Sequence, residues 1–401
     1  MKEKRIAVLT HAFSASTFPV VKRLVQMGND VDFYEICLDT ITSFESFDSD
    51  SIPTKHGVHS VDTAWYHELD NYLGNVKIKF YYSRTQRPYL RIPLVKQWAA
   101  WRIRRQIKHL CRVIDSRDYD CVMGVGAFNN IYYAYAYRYL KTPMVMILHE
   151  VIDHFSPNYD LQTPLIKNII DNKRDLIVLS GHTKEQFLKY NNTISQKVYV
   201  AKLGLSEINR YIPNNHVHDD LKDYIFYFGS MLPYKGINVL HDALVRYPGC
   251  LSGKKLLMSG RGSEEVVDKF KSLPNVVLFN HYAPISEIVE LIQNSRALVM
   301  PYLSASQSGI PQVAYIFGKP IVATRIPSLM DFVKDDENGL LCNVNDADDL
   351  ARQLKRITSD EQLYNRLCSN VMRFEQDYPD FSWDVSTRII ADVLEKNMKK
   401  R

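Results

Sequence analysis

Long apolar runs are missing from this 401-residue chain. The apolar stretches last only a few residues, far short of the ~20 that span a bilayer, so no transmembrane helix is expected. RIAVLT, which follows the basic start, is too short for a signal-peptide core and suits a buried first strand. Cysteine is sparse: Cys37, Cys111, Cys121, Cys250, Cys342 and Cys368 show no CxxC spacing. Their scatter argues against a disulfide framework or a zinc site, and for reduced thiols in a cytoplasm. Acid is absent from one long stretch. From Lys77 to Arg112 there are eleven Lys and Arg and no Asp or Glu, whereas residues 39–75 just before hold seven acids and a single lysine. The net charge of +5 conceals this asymmetry. The basic block also carries Tyr, Trp, Leu and Ile, which suits a solvated helix face, an anionic lipid surface or a nucleic acid.

What is present fits a folded α/β protein. The length exceeds one hydrophobic core and points to two domains of roughly 200 residues each, and the 46% apolar content supports them. Short apolar runs alternate with helix patterns in the first half, predicting strands at 5–10, 30–36, 119–125, 143–149, 174–180 and 197–203. Helices are expected near 18–27, where Val21, Leu24 and Val25 share a face, and over 127–140. Such alternation implies a parallel sheet buried on both faces, whose ligands collect at the C-terminal strand ends. The loops after Thr10, Val125 and His149 are therefore the places to look. His11 follows the first predicted strand. His149 ends the fourth, with Glu150, Asp153 and His154 close behind. A histidine at a strand end often makes a structural hydrogen bond, but one beside carboxylates at a ligand-facing edge is also a candidate for chemistry.

After the polar segment 206–220 the alternation restarts, with predicted strands at 224–228, 254–258, 275–279, 297–300 and 321–324. The stretch RALVMPYLSASQSGIPQVAYIFGKPIVAT reads as strand, loop, helix, strand. Ser306, Gln307, Ser308 and Gly309 form a small polar loop, and Pro311 is placed at the first helical position with Gly318 past the end. Free N–H groups from Gln307 to Ile310 and the helix dipole would suit a phosphate there. Just after the first strand of this half, Gly229 and Ser230 lead to Lys235-Gly236, where a lysine can reach a phosphate across the same strand ends. Two such sheets facing one another would leave a cleft between domains.

The second half resembles the nucleotide-sugar-dependent retaining glycosyltransferases of the GT-B fold, family 4. FGSMLPYKGINVL is similar to that family's FGRLxPYKGID turn, and LMSGRGSEE to its GxGP segment. NVVLFNHYAPISEIVELIQNSRALVMPY, DDENGLLCNVNDADDLARQL and FSWDVSTRII follow in the family's order, so the likeness runs from Tyr224 to Ile390. It implies two facing Rossmann-like domains with an interdomain cleft: an acceptor-side domain at 1–205, a nucleotide-sugar domain at 206–378, and a last helix at 379–401 returning to the first. Two departures stand out. The family's paired glutamates fall at Ser306 and Ala314, and its arginine before the YKG lysine falls at Ser230, with Arg261 the nearest substitute.

The resemblance implies transfer from a nucleotide diphosphate-sugar to a glycan or lipid-linked acceptor, with retention, without a metal or other cofactor. The diphosphate would be held by Lys235 and the backbone from Gln307 to Ile310, with Gly229, Ser230, Arg261, Ser306 and Ser308 beside it, and His149 would orient the sugar. Synthesis of a bacterial surface polysaccharide is the expected setting. A cytoplasmic protein is expected, peripheral on the inner membrane face, with the basic block as its contact. A sugar-nucleotide epimerase and a catalytically silent homologue stay open as alternatives; no nucleic-acid partner is expected, because that reading would rest on the basic block alone.

Overall fold

The computed structural model describes residues 3–11, 13–38, 57–61, 67–76, 78–85, 93–149, 151, 163–191, 195–212, 216–218, 220–305 and 308–398. It divides into two compact units, Met1–Leu203 with Asp380–Arg401, and Gly204–Pro379. Each is an α/β unit built on its own sheet, the architecture that the alternating pattern implies.

Among the described residues the first unit holds eight strands: β1 (Arg5–Thr10), β2 (Asp30–Leu38), β3 (Gly57–Val61), β4 (Lys79–Thr85), β5 (Cys121–Gly126), β6 (Met144–Leu148), β7 (Leu176–Val178) and β8 (Val198–Val200). Their order is β3-β4-β2-β1-β5-β6-β7-β8. β5 and β6 are buried along their whole length and β1 along all but Arg5, because helices cover both faces. Each fully buried Val, Leu or Ile contributes about 1.5–3 kcal/mol, which is why short uninterrupted apolar runs suffice to define these strands. The order reverses between β1 and β5, so the loops that leave these two strands open the sheet's natural ligand edge.

Two strands of this sheet correct the sequence-based expectation of six parallel strands. β4, from within the basic block, pairs parallel with β2, and β3 pairs antiparallel with β4 at the edge. Tyr81 of β4 stacks on Tyr34 of β2 at 4.7 Å, so this part of the block belongs to the core. Residues 93–112 of the block lie in the long helix Pro93–Asp115.

The final helix, Trp383–Asn397, packs on the first unit against the Ser14–Gln26 helix, β5 and β6. Arg23 Nε donates to Asp384 at 2.5 Å near one end. At the other, Asn397 exchanges hydrogen bonds with Asp175 at 3.2 and 3.3 Å.

Among its described residues the second unit carries six parallel strands: β9 (Ile225–Phe228), β10 (Leu256–Ser259), β11 (Val276–Phe279), β12 (Ala297–Met300), β13 (Ile321–Thr324) and β14 (Gly339–Cys342), in the order β11-β10-β9-β12-β13-β14. The sequence pattern anticipates five of them. β14, GLLC, lies among polar residues on both sides and was not anticipated. Here the order reverses between β9 and β12, which sets the turns after Phe228 and Met300 side by side.

Candidate functional site

At the reversal in the second sheet, β9 ends in Gly229 and the chain passes through the short helix Pro233–Lys235 to Gly236, which starts the Ile237–Arg246 helix. Gly236 has φ 68°, and a Cβ there would lie 1.7 Å from the Pro301 carbonyl oxygen. Only glycine lets the lysine turn sit so tightly on the end of β12. The Leu303 N–H donates to the Tyr234 carbonyl at 2.7 Å and clasps the two turns together.

This clasp delivers Lys235 to the strand ends. A Cβ on Gly229 would be 2.9 Å from its Nζ, so the ammonium lies directly on the glycine turn. Nζ donates to the Tyr302 hydroxyl at 3.3 Å and sits 5.1 Å from the centre of that ring. Among the described residues Lys235 makes no ion pair with a carboxylate. Burial pushes its pKa below the usual lysine value, because a desolvated ammonium without a counter-charge is disfavoured.

Tyr302 is a residue that the sequence pattern does not single out. It is buried, its hydroxyl also bonds Ser308, and burial raises its pKa, so it remains a neutral phenol. Lys235, Tyr302 and Ser308 thus form one connected polar group across the β9 and β12 turns. The lone signal for Tyr302 was its place directly after the Pro that ends a buried strand.

The loop and helix after β12 differ in detail from expectation. The helix is Ile310–Ile316, so Pro311 is its second residue, and Gly318 takes the left-handed turn beyond it at φ 68°. The Ile310 N–H is engaged by Ser308 Oγ at 3.4 Å rather than standing free. With its amide nitrogen turned inward, Gln312 donates to the Gly309 and Ser308 carbonyls at 2.9 and 3.2 Å, which fixes the loop's exit. Ala314 is wholly buried. Ser306 and Gln307 lie outside the described residues, as do Glu150, Asp153 and His154.

Ser230 and Arg261 occupy neighbouring turns. The Met231 N–H donates to the Arg261 carbonyl at 2.8 Å, and Tyr227 donates its hydroxyl to the Ser230 carbonyl at 3.0 Å. The exposed Arg261 guanidinium lies 5.5 Å over the exposed Tyr282 ring, so its neighbour is Tyr282, while that of Lys235 is Tyr302.

In the first unit the ends of β1, β5 and β6 converge as the topology requires. The His149 N–H donates to the Gly126 carbonyl at 3.0 Å, tying the end of β6 to that of β5. Its ring stacks on Phe13 at 4.0 Å, and Nε2 is 3.4 Å from Ser16 Oγ. Ser16 donates its one proton to the Phe13 carbonyl at 3.0 Å, so toward His149 it can only accept, which puts the imidazole proton on Nε2. The ring lines a narrow cavity with Met123, Lys202 and Trp383. Burial lowers its pKa to about 3, and it is neutral at pH 7. His11 serves differently: Nδ1–H donates to the Ile36 carbonyl at 2.6 Å, a fastener between the ends of β1 and β2. No group of three or more metal-ligating side chains occurs among the described residues, and none of their helices is long and apolar enough to cross a membrane.

Residues 209–373 match the family model described as "Glycosyl transferases group 1". The matched stretch contains Lys235, Tyr302 and the Ser308 loop. An uncharacterized glycosyltransferase of Methanocaldococcus jannaschii is 25% identical over 244 residues, 55% of this chain and 66% of that protein. The capsular polysaccharide biosynthesis glycosyltransferase CapM of Staphylococcus aureus is 24% identical over 212 residues, 49% of this chain and 55% of CapM. The chain thus spans about two thirds or less of the length of these two relatives. The crystal structure of Anabaena HepE in complex with UDP superposes with a TM-score of 0.63 at 16% identity, covering 98% of this chain and 100% of HepE. At that identity the likeness shows the fold, two Rossmann-like α/β domains as in GT-B glycosyltransferases.

Proposed function

We propose that this protein transfers a sugar, with retention, from a nucleoside diphosphate-sugar to the hydroxyl of a glycan or lipid-linked acceptor. One observation carries this: a half-buried ammonium, Lys235, which pairs with no carboxylate among the described residues, at the strand ends of the stretch that matches the glycosyltransferase group 1 family model. Placing a cation there is costly unless an anion joins it, and a diphosphate is the anion such a domain handles. HepE binding UDP and CapM acting in capsule synthesis support the donor class and the surface-polysaccharide setting. We place the reaction in the cytoplasm, at the inner face of the membrane.

In the reaction the bond between the anomeric carbon and the β-phosphate oxygen breaks, and its electron pair leaves with the diphosphate. The acceptor oxygen bonds to the anomeric carbon on the face that the diphosphate leaves, and its proton passes to the departing phosphate oxygen. Lys235 stabilises the charge that grows on that phosphate, and Tyr302 keeps the ammonium on the Gly229 turn. Ser308 and Gln307 bind the donor by neutral hydrogen bonds where related enzymes use carboxylates. We assign His149 to the transfer step rather than to nucleotide binding. The scheme uses neither metal nor other cofactor.

Lys235→Ala should lower turnover by about 10²-fold or more with the fold intact, since the lost interaction is strongest in the transition state. Near-normal turnover in the purified variant removes Lys235 from the mechanism. One observation favours a second reading, a silent homologue that binds donor weakly or not at all: Ala314 is buried and carries no carboxylate where the family has one.

A further inference from the structure

The Pro93–Asp115 helix has two faces of opposite character. Ala99, Ile103, Ile107, Leu110, Cys111 and Ile114 are buried against the first unit's core. On the other side Trp98, Trp101, Arg105, Lys108 and Arg112 are all exposed, the two indoles by 51% and 54%. At 3.6 residues per turn these five fall within an arc of about 80°, a straight ridge about 21 Å long directly opposite the buried face. Two tryptophans so exposed side by side on one ridge form an apolar patch of the kind that marks an interaction surface.

Charge sharpens the picture. Among the described residues Arg105, Lys108 and Arg112 make no ion pair, although many other bases of the chain do. Arg102 lies 4.7 Å over the Trp98 ring and Arg105 lies 5.6 Å over Trp101. The ridge is therefore aromatic and cationic, with no acid from Lys77 to Arg112 to offset it.

We propose that this ridge docks the protein on an anionic lipid bilayer, with the helix lying in the plane of the surface and the indoles at headgroup depth. A straight ridge suits a flat surface. Indoles prefer the interface, where an apolar ring and a polar N–H are both accommodated, and each base near an anionic leaflet adds attraction. A nucleic acid would exploit open ring faces for stacking, whereas each indole here carries a guanidinium over its face.

Sedimentation of the full chain with phosphatidylcholine vesicles, and with vesicles of phosphatidylcholine mixed with phosphatidylglycerol, tests the proposal. The protein should pellet with the mixed vesicles only, less so as salt rises, with tryptophan emission shifted to the blue. The triple variant Arg105→Ala, Lys108→Ala, Arg112→Ala should bind about a hundredfold more weakly, with unchanged melting. Glutamine at the same three positions serves if the alanine protein fails to fold. Trp98→Ser with Trp101→Ser should abolish the blue shift. Equal binding to neutral vesicles, binding to neither, parental binding by the triple variant, or tighter capture of a single-stranded oligonucleotide at the same salt each overturns it. Pelleting needs no donor sugar, so this outcome and that of the transfer reaction are independent.

Discussion

His149 and Lys235 are both ionisable groups whose surroundings disfavour charge, yet the consequences differ. His149 is enclosed by Phe13, Ser16 and the cavity wall and simply stays neutral. In the unfolded chain its imidazole takes up a proton below its ordinary value of 6.5, whereas in the folded chain it does so only near 3. Between these values the unfolded state binds more protons, so the stability this residue contributes is whole above pH 6.5 and falls as the pH drops toward 3. From pH 7 to 5 the loss should reach about 2 kcal/mol. Urea unfolding at the two pH values should show this slope in the parent and a clearly smaller one in His149→Asn; an identical slope in both would mean that the ring is not shielded as described. Lys235 differs because its amine sits at the glycine turn, where an anion can relieve its desolvation. Donor binding should accordingly raise its pKa.

Among the elements, those legible from residue pattern alone are the ones buried on both faces. β1, β12 and β13 coincide with their apolar runs because water is excluded on each side and most of their positions must be apolar. β4 was not legible: KFYYSRT sets three adjacent aromatics among charged and hydroxyl residues with no apolar period, and its strand character comes from pairing with β2 and stacking of Tyr81 on Tyr34. The lysine turn was legible because Lys235-Gly236 demands a special backbone, whereas Tyr302 and the Phe13–His149 stack arise from contacts between distant segments. Gly236 lends itself to a comparison with Gly28, which ends the first helix at φ 88° with nothing within 4 Å of its would-be Cβ. Gly28→Ala should lose only the cost of a left-handed alanine, about 1 kcal/mol. Gly236→Ala adds a collision with the Pro301 carbonyl and should lose at least about 2 kcal/mol more, with the Lys235 turn displaced. Equal losses in thermal unfolding would show that the Gly236 turn has room to relax.

At the scale of the whole molecule, the donor question separates a transferase, an epimerase and a silent homologue. A ligand that binds only the folded state at a hundred times its Kd stabilises it by about 2.7 kcal/mol, which for a unit of this size raises Tm by roughly 5–10 °C. The Lys235–Tyr302–Ser308 group predicts such a shift with nucleoside diphosphates and with at least one nucleotide sugar, and Lys235→Ala should remove most of it. Neutral hydrogen bonds from the loop replace the usual carboxylate contacts and are worth about 0.5–1.5 kcal/mol each. The favoured sugar should therefore gain only a modest margin over the bare diphosphate, with selectivity set by which hydroxyls meet the loop. Gln307→Ala should erase that margin while leaving diphosphate binding in place. Incubating the stabilising donor with and without acceptor then separates the readings. A transferase releases nucleoside diphosphate in step with glycosylated acceptor, and an epimerase changes the donor with no acceptor present. A protein that no nucleotide sugar stabilises at millimolar concentration is the silent homologue, in which case the roles given to Lys235 and His149 in transfer fall with the activity.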